Sequence, residues 1–270
     1  MTTRMPRGAI PVRRSDLAAA EPYRPDPDTE VFVPSGKFPS PNQELAAAEP
    51  YRPVGGAPGC FLGWPIEIGS WGNEDLSNSS WAEEAFAKAC AEPRVFISAN
   101  VVLQAARECG LSNFAEFMQT HGFQMGRKAY LDGAFHAVDW SKEEVLNSAI
   151  ANAGPVKIGV ISPNLVSAAQ GQFMPGKSGW AVCSIPPGQT ASYCASLCGY
   201  GPLAALVDLF EHDWGDVNLP AGMPSGLCYA MFIRSSIGII DRQSLMNITG
   251  EAWVRRPTTI VRDLKEQPPG

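Results

Sequence analysis

The sequence predicts an α+β domain, with a helical lobe followed by an antiparallel sheet lobe, behind an extended N-terminal arm. Helical spacing of apolar residues dominates the folded part up to residue 152. Short runs rich in β-branched and aromatic residues dominate the rest of the chain. Helices and strands grouped apart in this way are typical of the α+β class.

The first 58 residues differ in composition from the rest, because they are rich in proline and have few periodic apolar positions. Such a segment buries too little apolar surface to form a core. We therefore expect residues 1–58 to be an extended arm, residues 59–262 to be the folded domain and residues 263–270 to be a short tail.

The arm contains one nine-residue sequence twice, LAAAEPYRP, at residues 17–25 and again at residues 45–53. Identical copies in dissimilar surroundings favour two equivalent docking motifs, with prolines that reduce the cost of ordering the chain on a partner. Two copies linked in one chain also bind a partner with paired sites more tightly than one copy does, because binding of the first raises the effective concentration of the second. The alternative is a duplication without a role. The predicted partner-binding residues are Leu17, Glu21, Tyr23 and Arg24 in the first copy, and Leu45, Glu49, Tyr51 and Arg52 in the second.

Composition excludes several classes of function. The net charge is −6 and no block of lysine or arginine occurs, which argues against a nucleic-acid partner. The sequence has neither an apolar run of membrane-spanning length nor an apolar leader segment, so we expect no membrane contact and synthesis in the cytoplasm. The seven cysteines lack the spacing of a metal site, so neither a metal nor another cofactor is predicted.

The predicted elements follow the chain in order. Helices are expected at 81–91, 100–108, 112–120, 141–152 and 202–212, and strands at 155–161, 179–185, 193–199, 227–234, 237–240 and 252–255. Residues 123–140 are expected to be mostly loop, with a short strand near 134–138. Two capping boxes are predicted, Ser80 with Glu83 and Ser141 with Glu144, because serine and glutamate three residues apart satisfy free backbone donors at a helix start.

The segment 72–86 is the candidate active site, because it runs from a glycine-led loop into a helix with Ser79 and Ser80 at the N-cap. Several hydrolases present a nucleophile in this way, since the helix dipole favours an anion at the helix start. Ser79 is therefore a candidate nucleophile, although a serine there still needs a base.

Three motifs resemble those of papain-like cysteine peptidases, in particular a group of bacterial and phage proteins with that fold. The family's Gly-Asn-Asp…Gly-Asp-Cys motif reads GNEDLSNS at 72–79, which puts Ser79 at the cysteine position. The family's histidine strand reads YCASLCGYG at 193–201, with Tyr193 at the histidine position. The third motif, RSSIG at 234–238, has Ser235 where the family carries the orienting Asn or Asp. The resemblance covers residues 64–260.

The resemblance implies a papain-like fold whose three reactive groups are absent. Tyrosine, with a reference pKa near 10, is a poor base at neutral pH, and the three histidines, His121, His136 and His212, are predicted to be structural. The leading hypothesis is a pseudoenzyme that docks through its arm onto a repetitive protein assembly, such as a phage virion that it decorates, or onto itself. The alternatives are a hydrolase or acyltransferase with Ser79 as nucleophile, and a binder that keeps the cleft for peptides or glycans.

Overall fold

The computed structural model describes residues 21–22, 61–62, 68–73, 78–109, 118, 120–162, 164–165, 178–188 and 193–264. Within them the chain has the predicted α+β class. The helices are α1 (Ser79–Cys90), α2 (Ala99–Cys109), α3 (Glu143–Ala153), α4 (Leu203–Trp214) and α5 (Arg242–Ile248). The predicted helix at 112–120 lies outside the described residues except for Met118 and Thr120, which are both helical.

The strands are β1 (Glu21–Pro22), β2 (Phe61–Leu62), β3 (Phe123–Met125), β4 (Lys128–Leu131), β5 (Ala134–Ala137), β6 (Val156–Val160), β7 (Trp180–Val182), β8 (Tyr193–Pro202), β9 (Leu227–Ile233), β10 (Ser236–Asp241), β11 (Thr249–Arg256) and β12 (Ile260–Asp263). The main sheet has the order β1-β5-β11-β6-β8-β9-β10-β7, with β2 paired to β8. Each of the two outermost strands is parallel to its neighbour, β1 to β5 and β7 to β10. All pairings of the strands that lie between them are antiparallel. A small second sheet has the order β12-β4-β3.

The main sheet separates two hydrophobic cores, because successive strand residues point to opposite faces. In β8, Tyr193, Ala195 and Leu197 belong to the core covered by α3 and α5. Cys198 belongs to the core covered by α1, α2 and α4. In β9 the same alternation sends Met231 to the first core and Phe232 to the second.

Helix α1 is the element around which the second core is built, since all twelve of its residues are buried. Phe86 stacks on Phe232 of β9, with ring centroids 4.0 Å apart and planes 4° apart. Trp81 meets Phe123 of β3 edge-on at 6.1 Å. A helix buried on every side has no solvated face, so its polar residues need partners within the protein.

Several local predictions were wrong. In residues 123–140, the short strand expected near 134–138 is confirmed as β5. The rest of the segment was expected to be loop, but β3 and β4 form a hairpin around Gly126, whose φ is +58°. Helix α5 and strand β12 were not predicted. The capping box at Ser141 does not form, because the Ser141 hydroxyl instead donates to Asp139 at 2.6 Å and α3 begins at Glu143.

Candidate site at the start of helix α1

The loop before α1 is fixed by the aromatic side chain of Trp71. The Trp71 indole N–H donates to the Ile97 carbonyl at 2.6 Å. The backbone carbonyl of Trp71 accepts a hydrogen bond from the Asn78 side-chain amide at 2.8 Å. Gly72 follows with φ +72°, and a side chain there would collide with Leu103. Trp71 and Gly72 are therefore tightly packed, and the Trp71 backbone is tied to the residue that precedes α1.

Helix α1 begins at Ser79 with Asn78 as its N-cap, and the Asn78 side chain makes no capping hydrogen bond. The predicted N-cap role of Ser79 and Ser80 is therefore wrong, and so is the capping box of Ser80 with Glu83. Both serines lie inside the first turn, where their hydroxyls contact Cys194 of β8.

The Ser79 hydroxyl oxygen accepts a hydrogen bond from the backbone N–H of Cys194 at 3.0 Å. Cys194 lies two residues before Ser196, where the pairing of β8 with β9 begins. Ser79 thus supplies an acceptor at a level of β8 that β9 does not reach. The side chain is completely buried, so its position at the helix start serves a contact between helix and strand.

Ser80 faces the thiol of Cys194, with 3.4 Å between hydroxyl oxygen and sulfur. Cys194 is the residue that motif matching missed, because the family motif directs attention to its neighbour. The alternation of β8 carries the missing signal: Cys194, Ser196 and Cys198 are small residues on one face, which suits close approach of a helix.

Tyr193 lies next in sequence to this contact, but its side chain belongs to the core on the other face of β8. Its hydroxyl donates to the Ser162 carbonyl at 3.4 Å. Ser235 lies in the turn between β9 and β10 with φ +69°, and its hydroxyl donates to the Arg234 carbonyl. The structure therefore brings Ser79 to the backbone of β8, while the phenol of Tyr193 points away from α1.

The thiol of Cys194 keeps its proton at neutral pH. Burial raises the pKa of Cys194 to about 12, although the hydrogen bond with Ser80 acts in the opposite direction. Burial also raises the pKa of Glu83 well above its usual value, against the lowering influence of Ser196 and Lys157. A thiol in this state is a weak nucleophile and does not act as a base.

One turn further along α1 lies a group of buried charges, which we call the ionic cluster. Its members are Glu84, Lys88, Asp132, Lys157 and Arg255, each with a side chain that is at most 2% exposed. Lys88 pairs with Asp132 and also donates to the Thr258 carbonyl at 3.0 Å. Glu84 lies 3.0 Å from Lys157 and 3.3 Å from Arg255.

Arg255 joins the two halves of the ionic cluster, because its guanidinium lies 3.4 Å from Asp132 as well as close to Glu84. Burial alone would raise the pKa of Glu84, but Lys157, Arg255 and Lys88 lower it to about 2. Burial and the nearby Glu84 raise the pKa of Asp132 to about 6, with Lys88 and Arg255 acting against the rise. The cluster ties α1 to the β4–β5 connection, to β6 and to β11.

The histidines lie in other surroundings. His121 has its Nδ1 2.6 Å from the Thr120 hydroxyl, and His212 has its Nδ1 2.8 Å from Asp213. His136 lies on β5, which β11 and β6 separate from β8. Three strand spacings of about 4.8 Å put it roughly 14 Å from the strand that Ser79 contacts.

In the part of the chain that the structure describes, no group of three or more His, Cys, Asp or Glu side chains is placed to hold a metal ion. Two surface clefts have volumes of about 370 and 430 Å³. The first lies between α2 and β3, and the second lies beside the end of α1, α3 and Pro257, so neither opens at Ser79. No described helix combines the length and apolar character that a membrane span requires.

Of the predicted docking residues, Glu21 is described, as part of β1. The other seven lie outside the described residues: Leu17, Tyr23, Arg24, Leu45, Glu49, Tyr51 and Arg52.

Comparison with protein-family models gives no match, and comparison with curated proteins gives none either. Among solved structures, the chain is similar to digestive procathepsin L 3 from the larval midgut of Tenebrio molitor, with a TM-score of 0.46 and 12% sequence identity. The similarity covers 92% of this chain and 79% of that one.

Proposed function

We propose that this chain is a non-catalytic, papain-like structural or binding protein that docks through its N-terminal arm onto a repetitive protein assembly. A phage particle is the kind of assembly that offers many equivalent sites to a duplicated motif, so a virion decoration or accessory protein is the concrete form of the proposal. The repeated LAAAEPYRP sequence supports the docking role.

The observation that carries the non-catalytic role is the closed contact between the start of α1 and β8. A serine nucleophile must reach its substrate and must transfer its proton to a base. Ser79 is completely buried and its oxygen accepts the Cys194 N–H, while the neighbouring thiol keeps its proton at neutral pH. A buried contact of this kind, formed by described residues of α1 and β8, stabilises a junction and supports a non-catalytic role.

Chemical labelling tests this role directly. The full chain is treated with a fluorophosphonate, which labels activated serines, and separately with iodoacetamide, which labels accessible thiols. We expect no fluorophosphonate adduct, and slow alkylation of Cys194 compared with the half-buried Cys109 and Cys183, which serve as internal controls. A fluorophosphonate adduct that disappears in Ser79→Ala but persists in Ser80→Ala would instead establish the hydrolase alternative.

The docking role needs a separate measurement. The chain is produced in cells that make its candidate assembly, and large particles are separated by sedimentation. We expect the intact chain to sediment with the particles, and a chain whose residues 17–25 and 45–53 are both replaced by Gly-Ser sequence of equal length to stay in the supernatant. Equal sedimentation of the two chains would remove the arm from the proposal.

A further inference from the structure

Strand β1 is the part of the arm that the structure places. It consists of Glu21 and Pro22, which are the fifth and sixth residues of the first LAAAEPYRP copy. They pair in parallel with β5, Glu21 with His136 and Pro22 with Ala137. Since β11 lies on the other side of β5, β1 covers what would otherwise be the outer edge of the main sheet.

The second copy carries the same nine residues, so Glu49 and Pro50 offer the same backbone and side chains as Glu21 and Pro22. We propose that the edge of β5 is a docking site for the LAAAEPYRP sequence, and that residues 45–53 of the same chain occupy it in exchange with residues 17–25. Strand addition at a sheet edge depends mainly on backbone hydrogen bonds, with side chains adding specificity, and identical copies match on both counts.

The geometry of the sheet shows that the second copy can reach the site. Strand β2 pairs with β8 on the side of β6, because β9 occupies the other side at the same residues. The lateral distance from β2 to β1 is therefore three strand spacings, or roughly 14 Å. Along the strands, Pro22 is level with Ser196, while Phe61 is paired with Tyr200, four residues further on. This level follows from the chain of pairs Pro22–Ala137, Ala137–Trp253, Trp253–Lys157 and Lys157–Ser196.

Four residues of strand add about 13 Å, so the two points are roughly 20 Å apart. Eleven chain steps separate Pro50 from Phe61, and they extend to at most about 36 Å. The first copy is tethered by the longer stretch from Pro22 to Phe61. A shorter tether that still spans the gap raises the effective concentration of its copy, so the second copy competes for the edge.

One edge and two copies mean that one copy is always left undocked. If the chain also docks onto an assembly as proposed above, which is a separate claim, this leftover copy is the one available to the partner. Each molecule would then present a single motif at a time.

Hydrogen exchange of full-length chains tests the exchange of copies. Four chains are compared: the natural one, one with residues 17–25 replaced by Gly-Ser sequence, one with residues 45–53 replaced in the same way, and one with both replaced. Amide exchange is followed by mass spectrometry in a peptide covering residues 133–139. We expect both single replacements to exchange within about twofold of the natural chain, and the double replacement to exchange at least tenfold faster.

Addition of a synthetic LAAAEPYRP peptide should restore slow exchange to the double replacement, whereas the Gly-Ser peptide used for the replacements should not, because its flexible chain costs more to order and it lacks every side chain of the motif. The proposal is overturned if replacing residues 17–25 alone speeds exchange as much as the double replacement, because the second copy would then not be an occupant. It is also overturned if the double replacement exchanges as slowly as the natural chain.

A peptide from β8 in the same digest reports whether each chain is folded. Should β8 also open in the double replacement, the comparison of the two single replacements decides, because each keeps one copy. Dilution over a hundredfold range identifies the source of the strand. Slow exchange that is independent of concentration supports docking within one molecule, and slow exchange that is lost on dilution overturns it in favour of a second molecule.

Discussion

The first turn of α1 and the turns that follow it are both buried, but they differ in the charge of their side chains. In the first turn, the uncharged side chains of Ser79 and Ser80 meet a backbone amide and a protonated thiol. The following turns hold Glu84 and Lys88 in the ionic cluster. Glu84 and Lys88 therefore lie beyond the first turn of α1, where each has a partner of opposite charge. The difference indicates that α1 acts as a structural link between the sheet and the second core.

The largest effect is expected from breaking the ionic cluster at Arg255. Arg255→Met removes the cation that Glu84 and Asp132 share, while each carboxylate keeps a lysine partner. Loss of buried hydrogen bonds to charged groups costs about 1.5–3 kcal/mol. Urea unfolding monitored by tryptophan fluorescence measures the change.

The matched comparison for that variant uses the other ion pair of the cluster. Lys88→Met together with Asp132→Leu should cost less than Asp132→Leu alone, because removing both partners leaves no unpaired charge between them. If Arg255→Met costs less than about 1 kcal/mol, the cluster does not hold α1 to the sheet.

The second-largest effect is expected on the pH dependence of the unfolding free energy, and it comes from Glu83. Burial raises the pKa of Glu83 in the folded state, so the stability contributed by its proton is complete below the unfolded pKa and is lost as pH rises through the folded pKa. Glu83→Gln cannot ionise, so above the unfolded pKa it should gain on the natural chain by up to about 1.4 kcal/mol per pH unit while Glu83 titrates.

Urea midpoints between pH 5 and pH 9 follow the difference between the two chains. Glu143→Gln, at a half-exposed position paired with Arg242, is the control and should leave the pH profile of the natural chain in place. Parallel profiles for the natural chain and Glu83→Gln would mean that Glu83 is ionised in its buried position.

A smaller effect is expected at the contact between α1 and β8. Ser79→Ala removes the acceptor of the buried Cys194 N–H and should cost about 1–2 kcal/mol. Faster amide exchange in a peptide that starts at Tyr193 should accompany the loss. Ser80→Ala is the control and should cost less, since sulfur is a weak hydrogen-bonding partner. Ser79→Ala with unchanged stability and exchange would show that the contact contributes nothing.

The smallest effect is expected on the surface. Arg94 lies 3.2 Å from Glu92, and the two side chains are 49% and 81% exposed. Arg94→Ala should change the unfolding free energy by no more than about 0.5 kcal/mol, because exposed ion pairs are screened by solvent. A loss comparable to that of Arg255→Met would mean that burial does not set the strength of these pairs.

Much of the fold could be read from the sequence because the strong elements carry local signals. The α+β class and the positions of α1, α2, β8 and β9 follow from periodicity and from flanking glycine or proline. Helix α5 was missed because it has only seven residues, although its N-cap Asp241 accepts from the Ser244 N–H at 3.1 Å. The β3–β4 hairpin was missed because its strands are short and partly exposed.

The candidate site was less predictable because its contacts are distant in sequence. The spacing of Ser80 and Glu83 fits a capping box, but Ser80 instead meets a thiol 114 residues away. Lys88 pairs with Asp132, 44 residues away, and Glu84 with Arg255, 171 residues away. No local pattern distinguishes these charges from those of a solvated helix face. The motifs place Ser79 and Tyr193 by their positions along the chain. They do not show that α1 packs on the face of β8 opposite to the Tyr193 side chain.

The proline of β1 has a consequence for the behaviour of the chain at high concentration. Pro22 has no backbone N–H, so the strand that ends the main sheet on one side offers no donor there for a further strand. On the other side the last described strand is β7, which has three residues and makes one further bridge, from Trp180 to Asn218. Exposed sheet edges are the usual starting points of aggregation, and short or proline-bearing end strands suppress it. Removal of β1 would leave β5 as the end strand on this side, and β5 has no proline among its four residues.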